Sequence, residues 1–334
     1  MYVRRKIRPN VIFKFGWKNI ILSTLWATLV VVTYDFLDDF KYHIGIPFLP
    51  LSTIGIAVAF YVGFKNNQAY DRFWEGRKIW GGIVNYSRTW ANQVLSYLDC
   101  SRTLPMEEIE VIERRLIHRH LAYINALRIQ LRATTIFDRA NLTSVPSFKL
   151  TNDRDCQASI EDNLSKEEYD RIMSRVNPAT HINMLQGEDL AMLRKNNSIT
   201  DFQHINLMDT LKEFYNLQGM AERIKSTPFP RQFAYFSSLF VWIFILLLPF
   251  GMVEEFNQIQ DGDIVYLTIP FSALVSWVFY SMESIGDNSE DPFENYINDV
   301  PMSAICNTIE RDLLQMINEE PIPEKAQPVN DILM

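Results

Sequence analysis

Residues 44–64 contain no charged side chain. About 20 mostly apolar residues are what a helix needs to cross the hydrocarbon of a bilayer. Within lipid, only a helix or a closed barrel satisfies its own backbone. From residue 47 the run reads PFLPLSTIGIAVAFYVGF. Pro47 and Pro50 stand near its start, where a missing N–H costs least. Lys65, Asn66, Asn67 and Gln68 follow without a helix breaker. The pattern predicts one long helix that leaves the membrane and continues into water.

Two rows run along this helix. Gly55, Ala59 and Gly63 recur every four residues, and small residues at that spacing let a neighbouring helix approach closely in lipid. Ile56, Phe60 and Phe64 form the adjacent row. One reading has these large residues facing lipid or core. The other is a ring of helices packed through the small row, with the large residues meeting on an axis as a hydrophobic constriction. Spacing alone supports both.

Three further apolar runs complete the pattern. Residues 20–34 follow a basic flank of Arg4, Arg5, Lys6, Arg8, Lys14 and Lys18. A signal peptide has the same order but ends in small residues at a cleavage site, and VVVTYDF does not. Residues 233–253 and 264–282 are also uncharged, so four spans are expected. Pro249 and Pro270 lie in the last two as simple kinks. Lys and Arg gather before the first span, after the second and before the third, while Glu254, Glu255, Asp261 and Asp263 lie between the third and fourth. This asymmetry predicts both termini and the middle of the chain on the cytoplasmic side. The outer loops are then short and acidic.

The middle of the chain reads as packed, water-exposed helices. Residues 106–133, 181–195 and 200–225 carry apolar residues at three- and four-residue intervals. Ser165 with Glu168 three residues on marks a further helix start. Residues 138–163 read as loop, Pro178 as a break, and 226–230 as a linker. Residues 303–318 read as a helix, and Pro321, Pro323 and Pro328 as marks of an extended, mobile tail.

A net charge of -8 argues against a nucleic-acid partner. Aromatics at 13% beside a mean hydropathy of -0.07 suit a chain that is part membrane and part water-exposed. Cys100, Cys156 and Cys306 are too far apart to form a ligand pair and read as free thiols. His118 and His120, two apart on a helix, do not share a face, so a metal site is not expected there. His43, His181 and His204 stand alone. No phosphate loop, nucleophile elbow or zinc-protease motif is present. Spans two to four hold no ionisable group of the kind a proton-coupled transporter needs, and Glu283 reads as an interfacial residue at the inner end of the fourth. Ser289 to Asn295 is rich in carboxylates but lacks the spacing of a calcium loop and reads as a solvated turn.

Two stretches are more specific: PLSTIGIAVAFYVGFKNNQAYDRFWEGRKIWG, residues 50–81, and EDPFENYINDVPMSAICNTIERDLL, residues 290–314. They resemble the bestrophin family of membrane channels, above all its bacterial members, within a similarity spanning about residues 1–320. The resemblance implies a homopentamer around a single pore. Its neck positions fall on Ile56, Phe60 and Phe64, and a second, cytoplasmic constriction falls on Phe202. Animal members clasp calcium with consecutive acidic residues. Here Asp291, Pro292 and Phe293 are followed by Glu294 and then Asn295, so no such clasp is expected.

The combined expectation is an all-α membrane protein. Residues 1–80 would hold the first two spans and the start of a cytoplasmic helix, 81–231 a cytoplasmic helical region, 232–283 the last two spans, and 284–334 a cytoplasmic helix and tail. It would be a non-enzymatic, pore-forming channel of the inner membrane for chloride or other small monovalent anions. No cofactor or metal is implied; its partners would be its own copies, membrane lipid and monovalent ions. A monovalent cation channel of the same fold and a non-conducting regulatory subunit stay as alternatives. The acidic outer loops favour cations, and the partly positive edges of the Phe60 and Phe64 rings favour anions.

Overall fold

The computed structural model describes residues 1–6, 8–38, 44–99, 104–133, 159–259 and 262–334. His43, Cys100, Pro146, Cys156 and most of the predicted 138–163 loop lie outside these. Among the described residues every regular element longer than an isolated bridge is helical. The chain divides into two compact units. One comprises residues 1–3, 72–228 and 291–334, and the other residues 4–71 and 229–290.

The second unit contains α1 (Pro9–Asp38), the first part of α2 (Phe48–Asp99), α7 (Arg231–Asn257), a 3-10 turn (Gly262–Leu267) and α8 (Thr268–Asp287). Four stretches, one each in α1, α2 and α7 and one formed by the 3-10 turn with α8, are long and apolar enough to cross a membrane. Leu51, Val58 and Val62 of α2 pack on Val241, Phe244, Ile245 and Leu248 of α7. Two glycines permit the approach: a Cβ on Gly55 would meet the Phe244 ring at 2.8 Å, and one on Gly251 would meet Leu51 at 2.3 Å. Pro249 lies inside α7, whereas Pro270 occupies the first turn of α8, where no helix hydrogen bond is lost. The expected kink at Pro270 is therefore a helix start.

The other unit packs the rest of α2 with α3 (Met106–Arg132), α4 (Lys166–Met173), α5 (Pro178–Lys195), α6 (Asp201–Ser226) and α9 (Met302–Met316). Trp80, Ile83, Trp90 and Val94 of α2 enter a core with Leu116, Tyr123, Phe214 and Ile309. His120 lies against the Phe214 ring at 4.6 Å, and its Nε2 is 2.8 Å from the Ser87 hydroxyl. Burial pushes its pKa down to about 3, so the imidazole is neutral. His118 bonds Asn163 and Glu319. Arg119 is buried and held by Asp189 at 2.9 Å and by Glu168.

Local signals explain the helix starts. Ser165 and Glu168 form the expected capping box, and Thr200 with Gln203 forms another. The break falls at residues 174–177, just before Pro178. Pro178 is the first residue of α5, with Asn177 capping the Thr180 N–H. Residues 159–161 are helical, where loop was expected. The tail is extended but tied down: Asn307 bonds the backbone at Glu324 and Ala326, and the Ala304 N–H donates to the Met334 carbonyl.

Candidate functional site

At about 100° per residue, the residues of α2 that its own unit buries between 51 and 69 fall on one face. They are Leu51, Gly55, Val58, Val62, Lys65 and Ala69. Ile56, Phe60 and Phe64 lie roughly opposite, within about 40° of the diametric line. They are 72%, 78% and 50% exposed. Large apolar side chains so placed are stable only against lipid or another protein surface.

The small row divides. Gly55 is used inside the chain, against Phe244. Ala59 is half-buried, and a Cβ on Gly63 would meet nothing within 4 Å. Phe202 is the second residue of α6, in the other unit, and is 82% exposed. Ile205, one turn on, is exposed beside it.

Directly after Phe64 comes a cluster that the sequence reading did not identify. The Lys65 ammonium lies 2.6 Å from Glu283 Oε1 and 2.5 Å from Asp287 Oδ1, with the lysine side chain 2% exposed. The Ser237 hydroxyl donates to the other Glu283 oxygen at 2.6 Å. Asn66 Nδ2 donates to the Met282 carbonyl at 3.0 Å. Gly286 makes room, since a Cβ there would meet Asn66 Oδ1 at 2.0 Å. Glu283, at the end of the fourth apolar run, is thus buried in an ion pair joining α2 and α8, with α7 attached through Ser237. A sequence signal did exist: Glu283 and Asp287 are four apart on one helix face, and Lys65 ends an otherwise uncharged run.

The carboxylates after α8 have partners within their own units. Glu290 meets Arg231 at 3.2 Å, Asp291 meets Arg72 at 3.5 Å, and Glu294 meets Lys225. Phe293 is buried with its ring against Gly76. Asp299 is buried and accepts the Tyr296 N–H at 2.8 Å. Burial pushes its carboxyl up to about 8. Asn295 takes a φ of 73°, a left-handed conformation that asparagine tolerates. What was read as a solvated turn is therefore a packed, ion-paired one. The Cys306 thiol is buried and donates to the Ile124 carbonyl at 3.8 Å.

The sequence profile of the bacterial and fungal bestrophins matches residues 5–315. The chain is 31% identical over 322 residues to a protein of Escherichia coli K12 named voltage-dependent anion channel-forming protein YneE, covering 94% of this chain and 93% of that one. A Nostoc protein named voltage-dependent anion channel-forming protein alr2987 is 28% identical, over 91% of this chain and 88% of its own. The crystal structure of a bacterial bestrophin homologue from Klebsiella pneumoniae superposes with a TM-score of 0.75 at 29% identity, covering 91% of this chain and 98% of that one. With its four apolar helices and a match over nearly its whole length, this membrane protein belongs to the bestrophin family.

Proposed function

We propose that the protein is a channel for small monovalent anions, with chloride as the reference ion. The observation that carries this reading is the uncovered row Ile56, Phe60 and Phe64 on a span whose opposite face packs within its own chain. Relatives named as anion channel-forming proteins, similar over more than nine-tenths of the chain, support it. In a ring of copies the row faces the axis and makes a neck without charges, which excludes water when narrow and passes an ion only when wide enough to stay wet. Five copies make the ring, Gly63 and Ala59 lie at the contact between copies, and Phe202 narrows the path on the cytoplasmic side. Both termini and the helical unit face the cytoplasm, and the membrane is the inner one.

The test is the reversal potential of the purified oligomer in a planar bilayer under a KCl gradient. Reversal near the chloride equilibrium potential is the expected result. Reversal near the potassium potential would overturn the anion reading and point to the acidic segment at Glu254 and Glu255. Native mass measurement in detergent checks the subunit count, and a monomer would remove the pore.

A further inference from the structure

We propose that Lys65, Glu283 and Ser237 form a positioning clamp that sets the rotation of α2, and thereby the direction in which Phe60 and Phe64 project. This rests on the reading of that row as a pore neck. Two successive residues of α2, Lys65 and Asn66, are tied to one stretch of α8, at Met282, Glu283 and Asp287. Ser237 ties the same carboxylate to α7. The remaining contacts of this part of α2 are made largely by Leu51, Val58 and Val62 against other apolar side chains. The hydrophobic effect behind such contacts is non-directional. Charge-assisted hydrogen bonds are stronger and fix direction, and buried ion pairs act in some proteins as registry devices.

The clamp sits next to the exposed row. Phe64 immediately precedes Lys65, so any turn of the lysine about the helix axis turns the phenylalanine with it. Neither Lys65 nor Glu283 lies on the exposed row, so the clamp acts through the neck residues rather than by touching the ion.

The experiment measures the permeability of a bulky organic anion relative to chloride for the full-length oligomer in planar bilayers. The variants are Lys65→Met, Lys65→Arg, Ser237→Ala and Phe60→Ala, each checked for assembly by size exclusion. Lys65→Met and Ser237→Ala are expected to shift the ratio by about two-fold or more while the oligomer persists, and Lys65→Arg to stay near the parent. A purely structural role would change assembly or thermal midpoint and leave the ratio alone. Should Lys65→Met fail to assemble, Ser237→Ala decides, because it removes one hydrogen bond and no charge. Unchanged ratios in the assembling clamp variants, beside a changed ratio in Phe60→Ala, would overturn the clamp and leave the neck. An unchanged ratio in Phe60→Ala itself would overturn the neck, and with it this proposal.

Discussion

The two parts of α2 place large apolar side chains in opposite ways. In the helical unit Trp80 and Trp90 are wholly buried among residues of α3, α6 and α9. In the four-span unit Phe60 and Ile56 are left open. The same 3.6-residue period operates in both. What differs is the occupant of the far side: in one part the chain supplies it, and in the other something outside the chain does. Periodicity identifies a face, and only the packing around it says whether that face is core. Substitutions in the two parts are therefore expected to differ in kind as well as in size.

The largest effect is expected at Trp90. Removing a fully buried indole leaves a cavity that costs about 3–5 kcal/mol, so Trp90→Ala should lower the thermal midpoint of the purified protein sharply. Phe60→Ala removes a comparable ring from an open face. It is expected to leave the midpoint within a degree or two and to raise unitary conductance by widening the neck. If Phe60→Ala unfolds the protein as Trp90→Ala does, the contrast between the two parts of the helix is lost. Unchanged conductance would take Phe60 out of the pore.

The second contrast is between two glycines of one row. Leucine at Gly55 must displace the Phe244 ring inside the chain, so Gly55→Leu is expected to reduce folded yield. Gly63 has open space around it, so Gly63→Leu is expected to fold but to weaken the oligomer, if the row packs between copies. Size exclusion with light scattering separates the outcomes. An intact oligomer in Gly63→Leu would confine the packing role to Gly55.

Much of the architecture was legible because its causes are local. The uncharged run at 44–64, the helix through Lys65 and the Ser165–Glu168 capping box depend on residues near each other in sequence. Pro178 reads as a break and Pro270 as a kink within a span, because a proline in a helix's first turn looks like either until the helix start is known. Asn177 supplies the cap that marks the start at Pro178. The exposed row was legible as a row, since period alone sets it, but not as exposed. The ion cluster was least legible. Lys65 and Glu283 lie 218 positions apart, and a charge at the end of an apolar run reads as a membrane flank unless its partner is known. Burial of Phe293 and Asp299 in a run of carboxylates was hidden for the same reason: the cations that pair with its neighbours, Arg72 and Lys225, come from distant helices.

The smallest expected effect separates the two units by pH. Asp299 belongs to the helical unit, where burial pushes its carboxyl up to about 8. In the unfolded chain an aspartate titrates near ~3.9. The folded protein thus holds a proton that the unfolded chain has already released, so folding at this group is favoured by acid. Its contribution is complete below about pH 4 and declines as the pH rises through about 8. Asp299→Asn keeps the shape and the bond from the Tyr296 N–H but cannot ionise. Native-state hydrogen exchange, corrected for intrinsic exchange rates, should show protection around residues 288–301 falling between pH 6 and 8 in the parent and falling less in Asp299→Asn. Peptides from residues 51–62, which contain no titratable carboxyl, should show no such difference between the two proteins. Equal slopes at 288–301 would mean that Asp299 is ionised in the folded chain, with its charge answered by a neighbouring group.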